Sequence, residues 1–289
     1  MNVLVTGSCG QLGCALRDAA KDSGHVFVYT DLRADLDSGV SCLDITDMAA
    51  VNEIVGSRDI NVILNFAGYT DVERAETEED IAFKVNSEAV RVLADAARNH
   101  GATLVHISTD YIFDGRSDEP YGEDAEPAPL SAYGRSKLAG ELAVLASGCN
   151  SIIIRTAWLY SPYGKNFVKT ILKKGSEIPV LKVVSDQIGT PTYAGDLAGF
   201  ILQLLKPENI VKTGTYNYTD EGVCSWYDLA KEACRVNGTE CEVVPCMTGE
   251  YPVRAVRPRY SVLDKTKVKD TFEIEIPDWK DSLRKCLTR

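Results

Sequence analysis

One short segment constrains this chain more than any other. Thr6-Gly7-Ser8-Cys9-Gly10-Gln11-Leu12-Gly13 follows an apolar run at residues 3–5 and opens a helical pattern over residues 12–22. In such a strand–turn–helix, Gly7 permits the tight turn, Gly10 lets a pyrophosphate approach the backbone, and Gly13 lets the helix pack on the sheet. The helix N-terminus, with Cys9, Gln11 and Leu12 beside the glycines, then faces the negative charge. The context favours a dinucleotide cradle over a glycine-rich turn without a ligand.

The rest of the first two-thirds repeats the same grammar. Runs at 3–5, 26–29, 62–65, 103–107 and 151–155 read as buried strands, and periodic stretches at 12–22, 48–55, 87–100 and 131–145 read as helices. Strands alternating with helices at this spacing imply right-handed crossovers and a parallel sheet covered on both faces. After Trp158 the pattern loosens. Helices are expected at 166–174, 193–205, 225–237, 262–271 and 279–287, and strands at 180–184, 215–218 and 242–244. The expected fold class is α/β: a Rossmann-type doubly wound parallel sheet with a smaller C-terminal α/β substrate domain. A chain of 289 residues has room for about two domains. The expected division is 1–157 for an NAD(P)-binding domain, with elements near 180–205 returning to it, and 158–289 mostly for the substrate.

Charge and cysteine usage restrict the setting. Forty-two acidic residues against 31 basic ones give a net charge of −11, which argues against a nucleic-acid polymer or an anionic membrane as partner. Nine cysteines are an odd number with no C-x-x-C, and three histidines offer no zinc spacing. Free thiols in a cytoplasmic protein are expected. No apolar run approaches the ~18 residues of a membrane span, and the N-terminus does not read as a signal peptide.

Asp31, at the end of the second strand, would bond the ribose hydroxyls and favour NAD(H); Arg33 would accept a 2′-phosphate and favour NADP(H). Asp44-Ile45 either flanks adenine or supplies an acid capping the helix that starts at Met48. Ser108-Thr109-Asp110-Tyr111 ends the fourth strand, at the sheet edge where ligands of doubly wound folds bind. Tyr133 and Lys137, spaced i and i+4, open the next helix and point to one side. A second Tyr-x-x-x-Lys, Tyr227 with Lys231, lies beyond the parallel pattern and reads as packing. The set suits ketone reduction. Thr109 holds the carbonyl oxygen, Tyr133 gives the proton, and Lys137 together with the positive charge of the oxidised cofactor is expected to draw the phenol down from about 10 toward neutrality, a shift worth roughly 4 kcal/mol for three units.

With these residues in place, the chain resembles the dTDP-4-dehydrorhamnose reductase family, in the extended branch of the short-chain dehydrogenase/reductase superfamily. The resemblance covers essentially the whole chain. It rests also on Asn65-Phe66-Ala67-Gly68-Tyr69-Thr70-Asp71-Val72-Glu73-Arg74-Ala75-Glu76, Arg155-Thr156-Ala157-Trp158-Leu159-Tyr160, Lys165-Asn166-Phe167, Asp186-Gln187-Ile188-Gly189-Thr190-Pro191-Thr192, Arg257-Pro258 and Pro277-Asp278-Trp279. It implies reduction of the 4-keto group of dTDP-4-dehydro-L-rhamnose in nucleotide-sugar and cell-surface polysaccharide biosynthesis. The cofactor would be NADPH in preference to NADH, the partner a dTDP-sugar, and the assembly a monomer or homodimer. It also implies Thr109, Tyr133 and Lys137 as the catalytic trio and Ala67, Gly68 and Tyr69 beside the nicotinamide. Asp110, Tyr111 and Trp158 would contact substrate, with Asn166 and Arg257 toward the diphosphate; Trp158 could instead be a core residue, and Arg257 could instead cap the tail helix.

The family's metal-binding glutamate after the third cradle glycine has no counterpart in Gly13-Cys14-Ala15-Leu16, so no metal is expected. A sugar-nucleotide dehydratase would place a glutamate after Asp110, where this chain has Tyr111. An epimerase, or a non-catalytic cofactor-binding subunit similar to methionine adenosyltransferase β, remains an alternative.

Overall fold

The computed structural model describes residues 1–250 and 254–288. Six strands build the N-terminal part of a sheet: β1 (Asn2–Thr6), β2 (Val26–Asp31), β3 (Ser41–Cys42), β4 (Val62–Asn65), β5 (Thr103–Thr109) and β6 (Ser151–Thr156). The shorter β7 (Leu159–Tyr160), β8 (Val180–Val184), β9 (Ile188–Gly189) and β10 (Thr192–Tyr193) follow. The last three are β11 (Gly214–Asn217), β12 (Cys224–Ser225) and β13 (Glu242–Cys246).

The sheet order is β11-β6-β5-β4-β1-β2-β3, and every pairing in it is parallel. The order reverses between β1 and β4, and a crevice opens there beyond the strand ends.

The near-continuous apolar strands follow from burial on both faces. Alternate side chains point opposite ways, so Val3, Val5, Val62, Leu64 and Val105 meet one helix layer and Leu4, Ile63 and Leu104 meet the other. The first layer contains α1 (Gln11–Ala19) and α8 (Ala194–Leu204), whose Leu12, Leu16, Leu197 and Ile201 are buried. The second contains α2 (Met48–Ser57) and α5 (Ala89–His100), through Val51, Val55, Val90 and Leu93. Between β4 and α5 lie α3 (Val72–Ala75), α4 (Glu79–Phe83) and a π turn at Lys84–Glu88. The long α6 (Ala132–Ser147) precedes β6.

A smaller lobe packs α7 (Phe167–Glu177), α10 (Trp226–Asn237) and α12 (Trp279–Leu287) around Val168, Leu229, Ala233 and Leu283. A single turn, α9 (Pro207–Ile210), follows α8.

The chain does not divide at one point. α8, β11 and α11 (Thr266–Phe272) sit on the large sheet, where Phe272 meets Phe200 and Tyr216 edge-on. Of the elements expected to return near 180–205, β8 does not: it pairs in parallel with β13 in the small lobe.

Two other expectations are corrected. The helix expected at 262–271 begins only at Thr266, because Val262 and Leu263 are buried in extended pairing with Tyr121. The helix expected from residue 87 begins at Ala89, because the π turn occupies 84–88. Among the described residues, no helix is long and apolar enough to cross a membrane.

Candidate active site

The cradle is built by close approach. Gly7 has φ +68°, and a Cβ there would lie 2.6 Å from the Ala67 nitrogen, so the turn after β1 presses directly on the segment after β4. A Cβ on Gly13 would lie 2.5 Å from Ser8 Cα. Gly10 caps α1 without a side-chain acceptor. The first-turn N–H groups that helix geometry leaves over are therefore available to an anion. Leu12 gives its side chain to the core and can offer only its backbone.

Asp31 stands at the end of β2, where its carboxylate accepts the Cys9 N–H at 3.0 Å, and Arg33 is exposed two residues on. Asp44 does not cap α2. It accepts the Thr46 N–H at 2.9 Å, while Asp47 accepts from Ala49 and Ala50 at the helix start. Ile45 is buried in the second core layer.

The trio comes from two elements side by side. Thr109 ends β5; its hydroxyl donates to Asp110 at 3.1 Å and accepts the Tyr111 N–H at 3.2 Å. Ser131 caps α6 by accepting the Gly134 N–H, and Glu76 accepts the Ala132 N–H at 2.8 Å. These bonds fix the turn that carries Tyr133. Gly134 lies directly under the Tyr111 carbonyl, where no Cβ fits. Tyr133 stands beside the Thr109 hydroxyl and meets the Tyr111 ring edge-on, with centroids 5.6 Å apart.

Lys137 is buried and donates to the Ile107 carbonyl at 2.6 Å. Burial draws its pKa down to about 8, against the pull of the Glu141 carboxylate. The chain's own residues do not lower Tyr133: burial pushes its phenol up to about 12, with the Thr109 hydroxyl working the other way. Lys137 is engaged with the β5 backbone, and desolvation governs the phenol. Burial likewise raises Asp110 to about 6, opposed by the Ser261 and Thr109 hydroxyls.

Several supports were not singled out as site residues. Asn86, fully buried in the π turn, accepts the Tyr69 N–H at 2.8 Å and donates to the Tyr69 carbonyl and to Ser136. It thereby ties the Ala67-Gly68-Tyr69 segment to α6. Only a π turn, a feature frequent at functional sites, directs Asn86 this way, and its sequence gave no sign of one. Glu141 and Arg155 form a buried pair at 2.8 Å, with a second bond through Arg155 Nε at 3.1 Å. Thr6, Asn65 and His106 run in a hydrogen-bonded chain across β1, β4 and β5. Burial keeps His106 well below its ordinary pKa, with the Lys137 charge adding to the effect.

The residues expected to meet substrate are spread along the cleft. Trp158, at φ +49°, is partly buried and stacks on Trp226 with centroids 3.6 Å apart, so one of its faces is occupied. Asn166 offers no free amide. Its oxygen caps α7, and its nitrogen donates to Gln11 and to the Ser161 carbonyl, linking cradle and small lobe. Arg257 does not cap a tail helix; it pairs with Glu73 at 3.1 Å. Among the described residues, no group of three or more His, Cys, Asp or Glu side chains could hold a metal ion.

Comparison with known proteins agrees with this geometry. The profile of the family described as "RmlD substrate binding domain" matches residues 1–289. A dTDP-4-dehydrorhamnose reductase from Aggregatibacter actinomycetemcomitans is 41% identical over 293 aligned residues, covering 98% of this chain and 97% of the relative. The crystal structure of a dTDP-4-dehydrorhamnose reductase from Clostridium acetobutylicum superposes with a TM-score of 0.93 at 41% identity, covering 100% of this chain and 99% of that one. The Bacillus anthracis dTDP-4-dehydrorhamnose reductase, solved in complex with NADP, superposes with a TM-score of 0.91 at 35% identity, covering 99% and 98%.

Proposed function

The chain belongs to the RmlD substrate binding domain family, and on that premise we propose that it reduces the 4-keto group of dTDP-4-dehydro-L-rhamnose with NADPH. The observation that carries the reading is the meeting of Thr109, Tyr133 and Lys137 at the C-terminal edge of the sheet, beside a glycine cradle that opens a helix.

The cradle fits a dinucleotide. Its backbone approaches Ala67 too closely for a side chain, and its helix start has no side-chain cap. Gly7–Gly13 would hold the diphosphate, Asp31 and Arg33 the adenosine ribose, Asp44 and Ile45 the adenine side, and Ala67–Tyr69 the nicotinamide side. NADPH is favoured over NADH because Arg33 is exposed beyond Asp31, whose carboxylate already accepts a backbone N–H. When bound, the nicotinamide supplies the hydride.

The chain's own residues do the rest. The Thr109 hydroxyl positions the carbonyl oxygen of the keto-sugar. Tyr133, its pKa raised to about 12, is a phenol at neutral pH and holds the proton that the product oxygen needs. An alkoxide is a far stronger base than a phenolate, so transfer from Tyr133 Oη to that oxygen runs downhill. The Lys137 ammonium, fixed by the Ile107 carbonyl, would orient the cofactor's ribose beside Tyr133. Asp110, Tyr111, Trp158 and Arg257 line the sugar-nucleotide side.

The large sheet with its returning α8, β11 and α11 is the cofactor region, and the small lobe carries sugar-nucleotide specificity. The protein acts on a nucleotide rather than a nucleic-acid polymer, as a monomer or homodimer. The thiols of Cys9, Cys14, Cys42, Cys149, Cys224, Cys234, Cys241 and Cys246 are free, which suits the cytoplasm. The test is the absorbance decay of NADPH with dTDP-4-dehydro-L-rhamnose. Turnover by the wild type that Tyr133→Phe abolishes is expected; equal turnover by both would defeat the mechanism.

A further inference from the structure

The acidic block 71–76 has no part in the chemistry above, yet it touches every side of the cleft. It folds into the single turn α3, started by Asp71, which accepts the Arg74 N–H at 3.0 Å. From that turn Glu76 reaches the first residue of α6. Glu73 reaches the other way, to a segment more than 180 residues distant. One of its oxygens accepts the backbone N–H groups of Arg254 at 2.9 Å and Ala255 at 3.5 Å, and the other accepts Arg257 Nη2 at 3.1 Å.

The same segment is pinned again three residues on. Gly115, at φ +72°, packs so closely on Pro258 that a Cβ would lie 2.5 Å from it. Between these two anchors Arg257 is held near Tyr111, whose ring feels the charges of both Arg257 and Glu73 and itself abuts Tyr133. Arg257 Nη2 is taken by Glu73 and Nε is shut away from solvent, so in a side chain 29% exposed Nη1 is the nitrogen left to face a ligand. Arg254 and Arg259 are exposed on the same segment, so the stretch that Glu73 anchors carries three arginines in a protein of net charge −11. Guanidinium binds phosphate with fixed geometry. A fork already immobilised loses little freedom on binding.

Resting on the sugar-nucleotide reading above, we propose that Glu73 is a positioning residue for substrate capture: by holding Nη2 it fixes Arg257 so that Nη1 meets the substrate diphosphate. Glu73 touches no reacting atom. Its removal loosens the grip on the nucleotide and leaves proton transfer intact.

The test is Glu73→Gln in the full chain, read by steady-state kinetics with dTDP-4-dehydro-L-rhamnose and by calorimetric titration with thymidine diphosphate and, separately, NADPH. The expected result is KM and the thymidine diphosphate Kd raised about tenfold, with kcat and NADPH affinity within twofold. Arg257→Gln, which keeps both backbone bonds of Glu73, is the second arm. It should weaken thymidine diphosphate at least as much, and the double variant should be no weaker than Arg257→Gln alone.

Unchanged affinity in Arg257→Gln overturns the proposal whatever Glu73→Gln does. So do additive losses in the double variant, or a fall in kcat and NADPH affinity together in Glu73→Gln. A wild type that fails to oxidise NADPH with the keto-sugar defeats the underlying reading instead. An active wild type with indifferent variants defeats only the role given to Glu73.

Discussion

The molecule carries the same five-residue pattern twice, and the two copies have different fates. Tyr133 and Lys137 sit in the first turns of α6; Tyr227 and Lys231 sit in the first turns of α10. Both helices start on a serine cap, Ser131 and Ser225, so local structure is nearly identical. The surroundings differ. α6 lies beside the end of β5, and it buries Lys137 against the Ile107 carbonyl and sets Tyr133 beside Thr109. α10 lies in the small lobe, where Lys231 is exposed, lying over the Tyr227 ring at 5.7 Å, and Tyr227 packs against the lobe's core. A motif is only as functional as the strand end it faces.

The largest expected contrast is in turnover. Tyr133→Phe should lower kcat by about 10²- to 10⁴-fold, the range for loss of a general acid, while Tyr227→Phe stays within twofold. NADPH absorbance decay reads both, and comparable losses would break the comparison.

Ion pairs give the next contrast. Arg155→Met leaves Glu141 buried without its partner and should destabilise by about 3–5 kcal/mol in urea denaturation. Arg235→Ala removes an exposed i,i+3 pair with Glu232 on α10 and should change stability by less than about 1 kcal/mol.

Asp110 sharpens the picture through pH. Its folded pKa of about 6 lies above the ordinary 3.8, so between these values the folded state binds more protons than the unfolded. The resulting stability is full below pH ~4 and is lost as pH rises through about 6. Asp110→Asn should therefore be more stable than wild type at pH 7.5, by up to about 3 kcal/mol, and the gain should shrink toward pH 4. A gain that does not vary with pH would show that the carboxyl is not titrating in this range. The smallest effect is expected at Asp44: Asp44→Ala should leave α2 intact, since Asp47 caps it, and thermal melting should shift by no more than a degree or two.

Much of this was legible along the chain because the relevant physics is local. The cradle reads from glycine spacing after a strand, and the trio from a strand end and an i,i+4 pair. The apolar strands read from two-sided burial. What escaped was decided by partners far apart in sequence. Val262 and Leu263 have helical neighbours but pair with Tyr121 instead. The π turn that aims Asn86 leaves no compositional mark. The share of the Tyr133 lowering expected from Lys137 does not emerge, because spacing reveals proximity but not desolvation, and in the folded chain desolvation is larger.

By itself, the sequence determined a doubly wound sheet, a cradle at its first turn and the residues able to reduce a ketone, since each of these follows from patterns a few residues long. The tertiary structure alone decided that β11 and α11 rejoin the large sheet while β8 stays out, and that Glu73 holds Arg257 across more than 180 residues. Those outcomes depend on which surfaces are buried against which, and burial is a property of the folded chain.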